Sequence, residues 1–167
     1  LNTCDYTKVP QNRERTFMIA FKDEVNWRSN PKGTMSSRFD KNFPPQKLNS
    51  PNPIQNYLET AEIDDVFYYR QDKYMYPELR KVMQSQDTLY QWRRKYVREN
   101  KSNLCPTLTA NMGTGGHNVP LVLTDDGMRK LTPRECFNFQ GYPKSFKFPA
   151  NMANSHLYKQ AGNSVSV

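Results

Sequence analysis

Apolar residues occur in a few short runs along this chain of 167 residues. The run at 16–21 is rich in β-prone residues and has the length of a buried strand. The run at 119–123 predicts another strand, and the Asp-Asp-Gly sequence at 125–127 predicts a turn after it. Between 78 and 87, apolar residues recur at i, i+3 and i+4, which predicts a short amphipathic helix. Those residues are Leu79, Val82 and Met83.

The most clearly delimited helix is predicted directly after Thr132. Thr132 suits the N-cap, and Glu135 stands three residues later, where its carboxylate can accept a hydrogen bond from the N–H of the cap. Pro133 suits the first helical position, and Gly141 suits the left-handed residue that ends a helix. Both ends of this helix are therefore predicted from local sequence alone.

Aromatic, basic and amide residues are interleaved between 90 and 101. Read as one strand, this segment places five side chains on the same side: Tyr90, Trp92, Arg94, Tyr96 and Arg98. Core packing explains Trp92 and Tyr96, because long cationic side chains can extend past buried aromatics. Arginine, by contrast, can fork onto guanine, glutamine or asparagine can fork onto adenine, and lysine can meet phosphate. The mixture therefore favours DNA contact by Arg93, Arg94 and Arg98.

Charge strengthens this interpretation. The chain carries 24 Lys and Arg against 16 Asp and Glu, a formal net charge of +8, which points to a polyanionic partner. The excess is concentrated between 67 and 101, although Arg80 and Lys81 are adequately explained as a solvated face. The three cysteines are widely spaced, so neither a zinc site nor a disulfide framework is predicted. No apolar run approaches a membrane span and no secretory segment is present, so we expect a cytoplasmic protein.

Three further segments carry candidate polar sites. In an extended backbone, Gln11, Arg13 and Arg15 would lie on one side, where they could contact a phosphate or a base edge. An exposed strand entrance with ion pairs to Glu14 is the equally weighted alternative. Thr-Leu-Thr at 107–109 precedes three glycines within four residues, so backbone N–H groups and hydroxyls there could approach phosphates.

The end of the chain carries a Gly-Asn-Ser sequence at 162–164. This sequence is typical of a helix start with Asn163 or Ser164 as the N-cap. Free N–H groups at such a start can hold the polar atoms of a ligand, although a plain helix cap is the simpler explanation.

Three blocks, in this order, carry a family resemblance: 10–15, 129–143 and 158–165. Together they closely resemble motifs VIII, IX and X of the DNA (cytosine-5) methyltransferases. The segment from about 26 to 101 matches that family only by its position, where the family has a variable target recognition domain. The family's glycine-rich cofactor motif, its Pro-Cys nucleophile and its Glu-Asn-Val motif do not occur in this chain.

The resemblance implies an α/β fragment: the edge of a Rossmann-like methyltransferase domain plus a smaller, mostly β and irregular target recognition domain. Residues 1–24 would end the catalytic domain, 25–157 would form the recognition domain with motif IX at 129–143, and 158–167 would return to the catalytic domain. The helix after Thr132 would support the recognition domain, with Arg134 and Glu135 as a brace against the catalytic domain.

The resemblance also implies roles for individual residues. Arg13 and Arg15 would assist catalysis at a flipped cytosine, with Gln11 alongside on the DNA, and Asn163 and Ser164 would lie near S-adenosylmethionine. Bases and phosphates would be contacted by seven residues: Arg93, Arg94, Arg98, Lys101, Thr107, Thr109 and Gly115.

The expected whole protein is a bacterial, restriction-modification-type methyltransferase that moves a methyl group from S-adenosylmethionine to C5 of a cytosine in double-stranded DNA. Without the nucleophile, the chain alone should be inactive and should need an N-terminal catalytic portion or subunit. Leu1 in place of Met and the short final element favour a fragment over a natural half of a split enzyme. The alternatives are a non-catalytic DNA-binding specificity subunit and, more weakly, a single-strand binder that stacks bases on its aromatics.

Overall fold

The computed structural model describes residues 1–17, 46–48, 50–113 and 118–165. Most of the strand predicted at 16–21 lies outside these ranges, as does Gly115. The described helices are α1 (Thr3–Tyr6), α2 (Tyr76–Val82), α3 (Pro133–Phe139) and α4 (Asn154–Asn163). The strands are β1 (Tyr90–Arg93), β2 (Tyr96–Glu99), β3 (Leu121–Thr124) and β4 (Gly127–Lys130). Short 3-10 helices lie at Ile54–Tyr57, Asp65–Phe67, Lys101–Asn103 and Ala110–Gly113.

The four strands form one antiparallel sheet in the order β2-β1-β3-β4. The single strand predicted across 90–98 is wrong, because the chain reverses at Arg94 and Lys95 and forms a β1–β2 hairpin. Trp92 pairs with Val97 across this hairpin, and both side chains are buried. Arg94 adopts a φ of 54° at the reversal. The register is therefore set by the burial of one face of the hairpin.

Both faces of the sheet are covered at β3. On one face, residues in and next to α2 pack on the sheet in a cluster of Met75, Leu79, Met83, Tyr90, Trp92, Val97, Leu121 and Met128. Val122, which follows Leu121 in β3, belongs to a second cluster that includes residues of α3 and α4. Successive strand residues point to opposite faces, so β3 separates the two clusters. The sequence predicts that the chain passes directly from the turn into α3, whereas the structure places strand β4 between them.

The ends of α3 confirm the predicted capping. Glu135 N–H donates to Thr132 Oγ1 at 3.1 Å, and Thr132 N–H donates to Glu135 Oε2 at 2.8 Å. Gly141 follows the helix with a φ of 89°, the left-handed conformation expected of it.

A helix that starts at Asn163 or Ser164 would continue into residues outside the described ranges, so that helix start stays a prediction. These residues lie where α4 ends, and Ser164 N–H donates to Gln160 O at 3.0 Å as the C-cap. Helix α4 forms because its buried side chains, including Leu157, Tyr158 and Ala161, pack into the second cluster. Within the described ranges, no helix is long and apolar enough to cross a membrane.

Candidate nucleic-acid interface

The β1–β2 hairpin has one buried face and one open face. Trp92 and Val97 pair on the buried face. The open face carries two cross-strand pairs, Gln91 opposite Arg98 and Arg93 opposite Tyr96. Because the opposite face is fixed in the core, the side chains of the open face are presented from a rigid support.

The hairpin and the residues after it are strongly basic. Between 90 and 101 there are five cations and one acid, Glu99. All five cations are exposed: Arg93, Arg94, Lys95, Arg98 and Lys101. In the described part of the chain, no acidic side chain forms an ion pair with any of them. Their charge is therefore not neutralised by neighbouring carboxylates, and it is available to a polyanion.

Aromatic side chains border the tip of the hairpin. Tyr74 is 74% exposed and meets the buried Trp92 edge-on, with ring centroids 6.2 Å apart. Tyr96 is 58% exposed, so the prediction that it packs in the core is wrong. The same prediction for Trp92 is confirmed, because Trp92 is buried. These rings line an open groove together with Arg93, Arg94 and Asn118. The groove combines cations with π faces, and both kinds of group can contact nucleic acid.

Gln11, Arg13 and Arg15 do not form one exposed group. Gln11 and Arg13 are buried, with 0% and 3% of their surface exposed, whereas Arg15 is exposed. The backbone here forms isolated bridges, Gln11 with Cys105 and Asn2 with Glu14, rather than one continuous extended strand. The Arg15 guanidinium donates to the carbonyl of Glu14, so the alternative of an ion pair with the Glu14 side chain is not seen either.

The Arg13 guanidinium joins distant parts of the chain. It donates to Leu108 O at 2.8 Å, to Gly162 O at 3.2 Å and to Ser164 O at 2.6 Å. Burial, and then the nearby charge of Arg15, lower the pKa of Arg13 from its ordinary value. The three carbonyls engage Arg13 as a structural clasp between the first residues, the segment at 107–109 and the end of α4.

Thr107 and Thr109 lie beside this clasp. Thr107 Oγ1 donates to Asn12 O at 2.7 Å. Gly162 approaches the backbone of Thr109 so closely that a Cβ atom at Gly162 would overlap the Thr109 carbonyl. Both threonines are exposed, so their outer surfaces stay accessible for the proposed phosphate contacts.

Asn163 and Ser164 do not form a cofactor pocket by themselves. Ser164 Oγ donates to Ala161 O at 2.8 Å, and the Ser164 carbonyl accepts from Arg13. Asn163 is exposed at the end of α4, and the N–H groups of a helix that started after Ser164 would lie outside the described residues. The described groups therefore do not fit a complete S-adenosylmethionine site, and no catalytic step follows from them.

Two amides that the sequence suggested as readers of adenine contact the hairpin arginines instead, and sequence reasoning missed this role. Gln91 Oε1 accepts from Arg93 Nη2 at 2.9 Å, and Asn100 Oδ1 accepts from Arg98 Nη2 at 3.3 Å. The spacing of two residues between each amide and its arginine is visible in the sequence, and in extended backbone it brings such side chains together.

Comparisons with known proteins establish the class. The family model described as C-5 cytosine-specific DNA methylase matches residues 1–167, and the chain belongs to this family. The Type II methyltransferase M.Bsp6I of Bacillus sp. (strain RFL6) is 54% identical over 170 residues, covering 100% of this chain and 50% of the relative. M.HhaI of Haemophilus parahaemolyticus is 31% identical, covering 100% of this chain and 48% of the relative.

Another curated relative and a solved structure also align with this chain over about half of their own length. The Type II methyltransferase M.NgoBI of Neisseria gonorrhoeae is 29% identical over 100% of this chain and 45% of its own length. A solved methyltransferase structure from Entamoeba histolytica aligns over 95% of this chain and 46% of its own, with a TM-score of 0.49 and 15% identity. The chain thus spans about half the length of the curated relatives it matches.

Proposed function

We propose that this chain is the sequence-specific, duplex-DNA-recognition portion of a cytosine-5 DNA methyltransferase. The observation that carries the proposal is the open face of the β1–β2 hairpin, whose cations are exposed on a rigid support and unpaired with described acids. Membership of the C-5 cytosine-specific DNA methylase family makes DNA the polyanion that this charge would meet. The whole protein would transfer a methyl group from S-adenosylmethionine to C5 of a flipped cytosine.

The proposed division of the chain is 1–24, 25–157 and 158–167. Hydrogen bonds from Arg13 to the carbonyls of Gly162 and Ser164 join the first segment to the last, and a third hydrogen bond, to Leu108 O, joins both to the middle segment. The hairpin lies in the middle segment, which would then present DNA to a catalytic portion outside this chain. Arg15, which is exposed, has a free surface for the proposed role at the target cytosine, and Asn163 is the exposed candidate near the cofactor.

The test measures binding of the full-length protein that carries this chain to a duplex and to a matching single strand, across a range of salt concentrations. Each phosphate contact contributes about 0.9 to the slope of log affinity against log salt for duplex DNA. The variant Arg94→Ala/Lys95→Ala should therefore lower the slope by about 1.8. Arg80→Ala/Lys81→Ala removes the same charge from the exposed end of α2 and should leave the slope nearly unchanged.

Equal effects of the two double variants would contradict the assignment of the hairpin as the DNA surface. Tighter binding to the single strand would instead support the stacking alternative.

Methyl transfer is followed with labelled S-adenosylmethionine: we expect activity from the chain together with the catalytic portion and none from the chain alone. Sequence-specific duplex binding without methylation in any combination would identify a specificity subunit.

A further inference from the structure

The two arginines on the open face of the hairpin are each held by an amide two residues away. Gln91 holds Arg93 within β1, and Asn100 holds Arg98 at the end of β2. Because β1 and β2 are antiparallel and Gln91 lies opposite Arg98, the two arginine–amide pairs lie side by side on adjacent strands. Each amide accepts one N–H group, which leaves the remaining donors of the guanidinium free to form a fork.

Asn100 is itself rigidly held. Its N–H donates to Leu89 O at 2.8 Å, and its carbonyl accepts from Thr88 Oγ1 at 2.6 Å. Its side-chain Nδ2 donates to Leu104 O. Only 8% of Asn100 is exposed. The position of Asn100 Oδ1, which accepts the hydrogen bond from Arg98, is therefore fixed by the surrounding backbone.

The other cations of this surface are not held in this way. Among the described residues, no side-chain acceptor contacts Arg94, Lys95 or Lys101, and all three are exposed. Arg94 and Lys95 form the tip of the hairpin, and Lys101 begins the 3-10 helix after Asn100. The surface therefore contains two oriented arginines and three unconstrained cations.

This difference matters because the two kinds of DNA contact demand different precision. A base edge is read by a fork that must meet two acceptors at once, whereas a phosphate accepts a cation over a range of directions. Holding an arginine before binding removes part of the entropic cost of ordering it. Bidentate reading of adenine by Gln or Asn would need the amide oxygen as an acceptor, and in Gln91 and Asn100 that oxygen already accepts from arginine.

We propose that Arg93 and Arg98 each read a guanine edge in the major groove, that Gln91 and Asn100 are their positioning residues, and that Arg94, Lys95 and Lys101 contact phosphates. This assignment rests on the proposed function of the hairpin as the DNA surface. A two-stranded β-ribbon fits the major groove of B-form DNA. The recognised sequence should therefore contain two directly read G·C pairs in addition to the modified cytosine.

The experiment uses the full-length methyltransferase, a duplex library with randomised bases around a cytosine, and sequencing of the methylated products. Arg93→Lys and Arg98→Lys keep the charge and remove the fork. Each variant should lower the preference for guanine at one position, and at a different position for each, by roughly 5- to 150-fold, the value of one bidentate contact. Arg80→Lys, at the exposed end of α2 and outside this surface, is the matched control and should leave the whole profile unchanged.

The positioning role is tested by Gln91→Met and Gln91→Glu, with melting temperatures measured for both. Gln91→Met removes the acceptor and should relax the same single position as Arg93→Lys. Gln91→Glu keeps an acceptor and should retain the preference at that position, even where added negative charge weakens binding overall. A purely structural role would lower methylation evenly across all positions.

Unchanged guanine preferences in Arg93→Lys and Arg98→Lys would overturn the assignment while leaving the proposed function intact. The assignment would also be overturned if the affected positions were adenines, or if all positions weakened together. A failure of the unaltered protein to prefer any duplex sequence would overturn the proposed function and this assignment together.

Discussion

Glu135 accepts hydrogen bonds from both terminal nitrogens of Arg129, each at 2.7 Å, inside the core. The two side chains are 0% and 2% exposed. The same carboxylate accepts the N–H groups of Thr132 at 2.8 Å and Glu59 at 2.9 Å. Burial acts to lower the pKa of Arg129, but its hydrogen bonds and charge attraction to Glu135 outweigh this and raise the pKa. Glu135 thereby ties together β4, the cap of α3 and the segment after the 3-10 helix at Ile54–Tyr57.

Replacing Glu135 with Ala should lower the free energy of unfolding by about 3–5 kcal/mol, because Arg129 would be left buried without its partner. Urea denaturation followed by circular dichroism measures this loss, and Glu62→Ala, at an exposed position, is the control. The double variant Arg129→Met/Glu135→Met should recover much of the loss, since no isolated charge remains buried. Glu135→Ala should also weaken DNA binding; a normal fold that loses only the methyl-transfer step would contradict the bracing role.

Replacing Arg13 with Ala should also destabilise the protein, here by about 2–4 kcal/mol, because the carbonyls of Leu108, Gly162 and Ser164 would lose a charged donor. Arg13→Lys keeps the charge but cannot reach three carbonyls at once, so it should recover only part of the stability. Arg15→Ala is the matched control and should change the free energy of unfolding by less than about 0.5 kcal/mol. If Arg13→Ala melted like the unaltered protein while methylation failed, the clasp would be refuted and a direct catalytic role favoured.

The elements predicted correctly from the sequence are those fixed by neighbouring residues. The capping box of Thr132 and Glu135 and the left-handed Gly141 need only local contacts, and the structure contains all of them. The turn before β4 is similar, since Thr124 pairs with Gly127 across it. Local hydrogen bonding is readable from sequence because the partners are a few residues apart.

The mispredicted elements depend on contacts between distant residues. Helix α4 begins after Ala153, which makes no side-chain capping bond, so no local signal marks its start. The hairpin reverses at Arg94 with a positive φ, where Asn or Gly would be the usual signal. The acceptors of Arg13 lie 95 to 151 residues further along the chain, so its burial could not be read from the alternation around it.

For the candidate interface, the sequence indicates which segment is basic but not how its side chains are arranged. The excess of Lys and Arg near 90–101 identified the exposed cations correctly. Which cations are oriented depends on the register of β1 and β2 and on the burial of Asn100, and both are properties of the folded chain.

Gly162 should not tolerate a side chain. A Cβ atom there would overlap the carbonyl of Thr109 and the N of Ala110, so Gly162→Ala must push α4 away from the segment at 107–110. We expect a loss of about 1–3 kcal/mol or more in the free energy of unfolding, measured by thermal denaturation. Asn163→Ala, one residue later and exposed, is the control and should have little effect. Equal melting temperatures for Gly162→Ala and the unaltered protein would show that this close approach is not required.

Stability should decline at alkaline pH. Burial raises the pKa of the Cys105 and Cys136 thiols well above 9.0 and the pKa of the Tyr158 hydroxyl above 10.0. The folded protein therefore keeps protons that the unfolded chain releases above these ordinary values. This contribution to stability is fully present below about pH 9 and is lost as the pH rises, by up to about 1.4 kcal/mol per pH unit for each group.

Urea denaturation between pH 7.5 and pH 11 measures this dependence. The variant Cys136→Ala removes one of the buried acids, so the fall in its free energy of unfolding with pH should be shallower than in the unaltered protein. Comparing the slopes, rather than the absolute stabilities, separates the lost proton from the change in packing at residue 136. A free energy of unfolding that stayed constant up to pH 11 would mean that these thiols and the Tyr158 hydroxyl ionise as readily in the folded protein as in the unfolded chain.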